Sequence, residues 1–145
     1  MIYEIGKEEH PTLCAIWESA VRATHHFLSK EDFEFYKTKL PSYLEQTKLY
    51  GFKKNGVLKG FLGVSQEQIE MLFVDNRYRN FGVGGKLLLY AINELGIKKV
   101  DVNEDNLLAL GFYEKFGFKV ISRDSLDIEK KPYAILHLEF TAAPL

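Results

Sequence analysis

The sequence predicts an α/β (α+β) fold in which a mixed sheet is flanked by helices. Apolar residues recur with a period near two in some segments and near 3.6 in others, which is typical of interspersed strands and helices. The pair Asn55-Gly56 between two apolar runs indicates a β-hairpin with a type I′ turn. Strand–loop–helix units follow in the second half, which gives the order β-α-α-β-β-β-α-β-α-β-β.

The chain begins with a short predicted strand at 2–5, followed by a long amphipathic segment at 8–27. Apolar side chains in that segment recur at the spacing of one helix face: Leu13, Ile16, Trp17, Ala20 and Val21. Proline has no N–H to donate, so Pro11 is compatible only with the first turn of this helix.

A second helix is predicted after Ser29. Ser29 followed by Asp32 resembles an N-terminal capping arrangement, and helix-forming residues continue as far as Pro41. We expect this helix to end at Pro41, with a separate short helical piece at 41–46.

The second half consists of short strands and two further helices. After the hairpin at 48–65, hydrophobic periodicity predicts strands at 68–74, 97–102, 118–122 and 133–140, and helices at 83–95 and 105–116. No repeat or low-complexity linker interrupts them. We therefore expect one domain over residues 1–145, a length at which roughly 68–70% of the unfolded surface is buried.

Composition excludes several classes of function. A formal net charge of −1 encodes no general attraction to nucleic acid or anionic lipid, so neither is an expected partner. No apolar run approaches the ~18 residues of a membrane span, and residues 1–10 lack the apolar core of a signal peptide. The single cysteine, Cys14, has no partner for an internal disulfide. A cytoplasmic protein is the expectation.

The segment VDNRYRNFGVGGKLL at 74–88 lies between a predicted strand and a predicted helix. It is not a nucleotide P-loop, because Asn80 stands where the motif needs its first glycine and Leu87 where Ser or Thr would hold magnesium. Leu87 also replaces the third glycine of a dinucleotide-binding loop. The Gly85-Lys86 pair therefore marks neither kind of nucleotide site.

The pattern that remains in this segment is Arg79-x-x-Gly82-x-Gly84. Glycines permit a tight turn and leave backbone N–H groups free. Together with the N-terminus of the following helix, those N–H groups predict an anion site, with Arg79 and Lys86 as charge partners. A glycine-rich turn without a ligand is the alternative that this window leaves open.

A second motif, VNEDNLLALGFYEKFGF, combines a strand, Asn106 at a helix start, and Tyr113 within the helix. Together with the R-x-x-G-x-G loop it resembles the GCN5-related N-acetyltransferase (GNAT) family. WESAVRATHHFL and KPYAILHL are similar to a subgroup of small acetyltransferases of bacterial type. The specific motifs occupy 68–121, and the element order matches over essentially the whole chain. The sequence departs from the family pattern at Asn76, where proline is common, and at Asn80, where glycine or another small or basic residue is common.

The resemblance implies a mostly antiparallel sheet in which strands 68–74 and 97–102 are parallel and splay apart after a bulge in the first. It implies acetyl-CoA as cosubstrate and no metal, with the pyrophosphate on the glycine loop and the pantetheine arm along the open strand edge. Asn106 would bond that arm or serve only as a helix cap. The residues expected at the cofactor are Leu72, Phe73, Val74, Arg79, Asn80, Phe81, Gly82, Val83, Gly84, Gly85, Lys86, Asn106, Ala109 and Tyr113.

The resemblance also implies catalytic roles. Tyr113 is the expected general acid, which protonates the departing thiolate; simple packing among phenylalanines is the alternative. Glu70 and His25 are the candidate bases, one a carboxylate near the thioester and the other an imidazole that titrates near neutrality. The alternatives are a solvated strand residue for Glu70 and a surface or capping group for His25.

The acceptor is expected near the first two helices and the last strand. The residues predicted to line its site are Trp17, His25, His26, Phe27 and Tyr133, with Tyr36 as a further aromatic candidate. Aromatic residues at helical spacing usually pack in the core, which is the alternative for each of them. The expected function is direct acetyl transfer to a primary amine of a small molecule or peptide. A CoA-binding sensor or interaction module with little turnover is the alternative. A homodimer could form through the last strand if that strand is exposed.

Overall fold

The computed structural model describes residues 1–141, so residues 142–145 of the expected domain lie outside the described part. The helices are α1 (His10–Thr24), α2 (Lys30–Glu45), α3 (Val83–Asn93) and α4 (Leu107–Lys115). The strands are β1 (Ile2–Glu4), β2 (Lys48–Lys54), β3 (Val57–Val64), β4 (Gln68–Val74), β5 (Lys99–Asn103), β6 (Phe118–Asp124) and β7 (Ile135–Phe140). Their order along the chain is the predicted one.

The seven strands within residues 1–141 form one sheet in the order β1-β2-β3-β4-β5-β7-β6. Neighbouring strands are antiparallel except β4 and β5, which are parallel and are connected through α3. The predicted fold class is thereby confirmed. The hairpin between β2 and β3 has positive φ at both Asn55 (55°) and Gly56 (76°), as a type I′ turn requires.

A β-bulge interrupts the middle of the sheet. Gly63 of β3 lies opposite Met71 of β4, but the next residue, Val64, lies opposite Ile69. Glu70 is therefore the extra residue on β4, where it bends the strand and increases its twist.

The parallel pairing of β4 with β5 is confined to the start of both strands. Only Gln68 pairs with Lys99 and Ile69 with Val100, and beyond the bulge the two strands diverge. The expected splay is thus present, and the side of β4 that faces β5 has no strand partner from Met71 onwards.

Helices cover both faces of the sheet because strand side chains alternate between the faces. On one face α3 and α4 pack on a cluster that includes Leu62, Leu87 and Phe118. On the other face α1 and α2 pack on a cluster that includes Leu13, Leu44 and Phe61. The ends of these helices approach the splay from opposite sides of the sheet.

The expected end of the second helix at Pro41 is wrong. Helix α2 runs through Pro41 to Glu45, with no separate helical piece at 41–46. Leu40 and Leu44 are buried on either side of Pro41, and the carbonyl that loses its N–H partner belongs to the exposed Lys37. Burial of the apolar face therefore holds the helix together across the proline, where solvent can hydrate the free carbonyl.

The last strand is not at an edge of the sheet. Strand β7 lies between β5 and β6 and pairs antiparallel with both, and its Leu136 and Leu138 are buried. The edges are β1 and β6, so the premise of the dimer expectation fails for β7. Within residues 1–141 no helix combines the length and the apolar character needed to cross a membrane.

The turn geometry generates a prediction about stability. Gly56 has a φ of 76°, whereas Gly111 lies inside α4, and a Cβ added at either residue would meet open space. We expect Gly56→Ala to lower the free energy of unfolding by about 1 kcal/mol, because an L-residue is strained at positive φ. The matched Gly111→Ala should raise it by about 0.5–1 kcal/mol, since alanine favours helix. Urea unfolding measures both, and a change of the same sign in the two variants would contradict the assignment.

Candidate active site

A cleft of about 540 Å³ opens where β4 and β5 diverge. Its walls are the end of β4, the loop that leads into α3, and α4. Every residue predicted to contact the cofactor lines this cleft except Phe81 and Lys86: Leu72, Phe73, Val74, Arg79, Asn80, Gly82, Val83, Gly84, Gly85, Asn106, Ala109 and Tyr113. The structure therefore brings the two sequence motifs together on one concave surface.

The glycine loop presents backbone donors to the cleft. Gly82 is the N-cap of α3 with a φ of 81°, a conformation that strains other residues. The first closed helical hydrogen bond is that from Lys86 N–H to the Gly82 carbonyl (3.1 Å), so the N–H groups before Lys86 are free of that ladder. Because Val83, Gly84 and Gly85 line the cleft, these donors and the helix dipole give this end of the cleft the chemistry that suits an anion.

The three glycines at 82, 84 and 85 differ in their backbone conformation and in the space around them. A Cβ on Gly85 would approach the Phe116 ring to 3.0 Å, so glycine at this position allows α4 to pack closely on α3. A Cβ on Gly84 would be in ordinary contact with Phe112 and Val74, at 3.5 and 3.6 Å. Gly82 alone of these three has a positive φ.

Lys86 and Phe81 do not line the cleft. The Lys86 ammonium lies 5.3 Å from the centre of the Phe52 ring, and Phe81 is 76% exposed. Lys86 lies one turn into α3, on the side that faces β2, a direction that loop spacing alone does not reveal. Two cations do line the cleft: the predicted Arg79, and Lys115 of α4, which the sequence did not single out.

Asp75 anchors the entrance to the glycine loop and was missed by sequence reasoning. It is 5% exposed, and its carboxylate accepts hydrogen bonds from the Arg77 guanidinium (2.9 and 3.2 Å), the Arg77 backbone N–H (3.0 Å) and the Ser19 hydroxyl (3.2 Å). Ser19 also accepts from the Asn76 N–H (3.0 Å), which links α1 to the loop. The Arg77 hydrogen bond, as the main cause, holds the pKa of Asp75 below its usual range.

A smaller cavity of about 110 Å³ lies at the splay itself. Tyr113, Glu70 and His25, the predicted acid and the two predicted bases, all line it, as does Asn103 at the end of β5. The three candidate catalytic residues come from α4, from the bulge in β4, and from the end of α1. The structure thus brings them to one place from three separate parts of the sequence.

Tyr113 belongs to the core and to the cleft. Tyr113 is 6% exposed, and the centres of the Phe112 and Phe118 rings lie 5.2 and 5.6 Å from the centre of its own ring. It nevertheless lines both the cleft and the splay cavity. Burial raises the pKa of Tyr113, so the phenol keeps its proton at neutral pH. Both descriptions offered by the sequence, packing and access to the site, hold for this residue.

Glu70 projects from the bulge. Partial burial, and then the proximity of Asp101, raises the pKa of Glu70, while a hydrogen bond from Gln68 opposes the shift. A carboxyl group with a raised pKa accepts a proton more readily than an ordinary one. Glu70 reaches the splay cavity but does not line the large cleft.

His25 lies where the three cavities described here meet. It follows directly after α1, and it lines the large cleft, the splay cavity and a third pocket described below. Burial, with a smaller effect of the neighbouring His26, lowers the pKa of His25 to about 4. The imidazole is therefore neutral at pH 7 and carries one free lone pair.

The third pocket, of about 180 Å³, adjoins the cleft and shares His25 and Phe73 with it. Of the residues predicted for the acceptor, Trp17, His25, Phe27 and Tyr133 line this pocket, whereas His26 is exposed and does not. Tyr36, which the sequence also indicated, lines it as well, whereas the sequence did not identify the remaining polar groups in its walls, those of Tyr43, Asn103 and Asp127.

The outer wall of this pocket is the β6–β7 loop (residues 125–134), which is tied to α2. The Tyr36 hydroxyl donates to Asp127, the Tyr43 hydroxyl to Glu129, and the Tyr133 hydroxyl to Asp32. A salt bridge of 2.9 Å from Lys131 to Asp32 adds a fourth contact. The residues of each hydrogen-bonded pair are 86 to 101 positions apart in the sequence, so no local sequence pattern indicates these contacts.

Comparison with known proteins agrees with this geometry. A family model described as "Acetyltransferase (GNAT) domain" matches residues 15–129. The chain belongs to the GNAT family of acetyltransferases. The predicted family, the use of acetyl-CoA and the N-acetyltransferase activity are therefore confirmed.

The chain is 38% identical over 141 residues to the peptidyl-lysine N-acetyltransferase YjaB of Escherichia coli K12, covering 94% of this chain and 93% of that protein. The solution structure of apo YjaB from Escherichia coli matches it with a TM-score of 0.91 at 35% identity, over 99% and 98% of the two chains. The PaiA N-acetyltransferase of Thermoplasma acidophilum, solved with coenzyme A, shares the fold with a TM-score of 0.76 at 21% identity, over 97% and 98%.

The glycine loop generates a prediction about cofactor binding. Gly82 and Gly96 both have positive φ, at 81° and 67°, and open space at the Cβ position, but only Gly82 lines the cleft. We expect alanine at either position to lower the free energy of unfolding by about 1 kcal/mol. Only Gly82→Ala should also weaken acetyl-CoA binding, by about tenfold or 1.4 kcal/mol, measured by calorimetry. Equal dissociation constants in the two variants would contradict an anion site at Gly82.

The Asp75 anchor generates a prediction about pH. Since the pKa of Asp75 is lowered in the folded protein, its stabilising contribution is complete above the ordinary carboxyl pKa of ~3.9 and is lost as the pH falls through the folded value. We expect Asp75→Asn to lower the free energy of unfolding by about 2 kcal/mol at pH 7, and by much less at pH 3. The exposed Asp105→Asn is the control. A difference that is the same at both pH values would contradict the role of the charge.

Proposed function

We propose that this acetyltransferase acts on the side-chain amine of lysine in a peptide or protein, by direct transfer from acetyl-CoA. The observation that carries the proposal is the pocket that meets the cleft at His25 and Phe73. Its Trp17 and Phe27 walls suit the aliphatic stem of lysine, which packs on apolar surface while its nitrogen reaches a polar group. Two relatives, at 38% and 35% identity, are named peptidyl-lysine N-acetyltransferases.

The arrangement of the cosubstrate follows from the cleft. The free N–H groups at 83–85, with Arg79, are suited to the pyrophosphate of acetyl-CoA. The edge of β4 at Leu72 and Val74 is suited to the extended amide arm, because backbone groups there lack a β5 partner. The thioester then lies at the splay, where an amide near Leu72 can stabilise the charge that develops on its oxygen.

The surrounding residues supply the proton transfers. Burial between the Trp17 and Phe27 walls favours the neutral form of the incoming amine, and the Asp127 carboxylate in the same pocket is already bonded to Tyr36 and to backbone N–H groups. As the C–N bond forms and the C–S bond breaks, His25 accepts the proton from nitrogen and Tyr113 donates one to sulfur. We place His25 before Glu70 in this role, because His25 lines the acceptor pocket and Glu70 does not.

The alternative is a CoA-binding sensor with little turnover. It requires the same cleft and glycine loop but no route for an amine to the thioester. The pocket that shares His25 and Phe73 with the cleft favours the enzyme.

A cytoplasmic location, which the absence of a disulfide partner for Cys14 supports, belongs to this proposal.

The proposal predicts CoA release with lysine peptides. We expect thiol production from acetyl-CoA with peptides that contain lysine, and none with the same peptides after lysine is replaced by norleucine. Tyr113→Phe should lower kcat by about 100-fold at pH 7 with little change in the KM for acetyl-CoA, because the thiolate loses its proton donor.

Tyr90→Phe is the matched control, since this tyrosine lies in α3 against Tyr50 and does not line the cleft. If acetyl-CoA binds but no lysine peptide supports thiol release, the sensor is favoured. If Tyr113→Phe retains full turnover, Tyr113 is not the acid.

A further inference from the structure

Thr24, the last residue of α1, makes two short contacts through one hydroxyl group. Its Oγ1 lies 2.8 Å from the carbonyl oxygen of Ala20 and 2.8 Å from Nδ1 of His25. A hydroxyl has a single proton, so it can donate to only one of these two atoms. Which atom receives the proton determines the tautomer of the imidazole.

Only one assignment makes both contacts hydrogen bonds. A carbonyl oxygen can only accept, so the Thr24 hydroxyl donates to Ala20 and its oxygen accepts from the Nδ1–H of His25. In the opposite assignment two oxygen lone pairs would face each other across 2.8 Å. In the neutral imidazole the proton therefore lies on Nδ1, and Nε2 carries the lone pair.

The other side of the ring leads to the same tautomer independently. Oδ1 of Asn106 accepts the Ala109 N–H (3.1 Å) as the cap of α4, which directs the Asn106 amide NH₂ group toward Nε2 of His25 at 3.5 Å. A proton on Nε2 would place two donors against each other. At 3.5 Å the contact is at the limit of a hydrogen bond, so the lone pair remains accessible.

We propose that Thr24 is a positioning residue that fixes His25 in the Nδ1–H tautomer, with the Nε2 lone pair directed into the site. The role of that lone pair as a base rests on the proposed function, whereas the tautomer itself rests only on the contacts of Thr24 and Asn106. Thr24 and His25 both line the cofactor cleft. The backbone of His25 is held as well, by its N–H bond to Val21 (2.8 Å) and by the bond from Leu28 to its carbonyl (3.1 Å).

The chain offers a matched control for the helical part of this contact. Thr38 also lies in a helix and donates to the carbonyl four residues before it, Glu34, at 2.9 Å, but it is exposed and lines none of the three cavities. Thr38→Val therefore removes the same kind of hydroxyl-to-carbonyl hydrogen bond at a site where no histidine is bonded to the hydroxyl. Thr24→Val removes that bond together with the acceptor for Nδ1–H, and Thr24→Ser keeps both.

The test is nitrogen NMR of ring-labelled histidine at neutral pH, with His25 assigned from the His25→Gln variant. In the native protein and in Thr24→Ser we expect a protonated Nδ1 and an unprotonated Nε2. In Thr24→Val the population of that tautomer should fall, because the remaining contact with Asn106 at 3.5 Å is at the limit of a hydrogen bond, while Thr38→Val should resemble the native protein. An Nε2–H tautomer in the native protein, or unchanged shifts in Thr24→Val, would overturn the proposal.

Kinetics separate positioning from a merely structural role. With a lysine peptide we expect Thr24→Val to lower kcat by about tenfold, with the KM for acetyl-CoA unchanged and with activity retained in Thr24→Ser and Thr38→Val. A loss that is equal in Thr24→Val and Thr38→Val would indicate a helix effect and overturn the proposal. If the spectra agree but the native protein acetylates no lysine peptide, the positioning stands and the proposed acceptor fails.

Discussion

The separation of β4 from β5 is the constraint on which the rest of the site depends. Glu70 is the extra residue that bends β4, and parallel pairing stops at Ile69. An unpaired strand edge inside a protein normally carries a cost, because buried backbone groups need partners. Here the open edge faces the large cleft, and under the proposed function the amide arm of the cosubstrate supplies the missing hydrogen bonds. The same distortion opens the cavity beside Tyr113.

Helices from both faces of the sheet contribute residues to the cleft beside the splay. Helix α3 brings its N-terminus to the cleft, α4 brings Tyr113, and α1 ends at Thr24 and His25. Each of these groups is held by an element whose apolar face is buried, so its position is set by core packing. The buried Asp75 extends this principle to the loop between β4 and α3, because it ties that loop to α1.

Local chemistry explains which features were predictable from the sequence. The Asn55-Gly56 turn, the Arg79-to-Gly84 loop and the Asn106 cap each depend on a few adjacent residues, so the sequence alone indicated them. Side-chain direction depends on distant packing, which is why Lys86 was expected in the cleft but lies over Phe52. Pro41 shows the same limit, because the burial of Leu40 and Leu44 outweighs a local helix-breaking signal.

The family resemblance indicated five lining residues of the pocket beside the cleft, but no local pattern in the sequence shows how its walls are joined. Its walls come from α1, from α2 and from the β6–β7 loop, joined by tyrosine–carboxylate pairs such as Tyr36–Asp127. Most of the large cleft, by contrast, is built from residues 72–116 of β4, α3 and α4, and only the end of α1 joins them from a distant part of the sequence. A substitution in the β6–β7 loop can therefore alter the acceptor pocket without disturbing the glycine loop. Under the proposed function, acceptor choice and cofactor binding therefore depend on largely different residues, and the two cavities meet at His25 and Phe73.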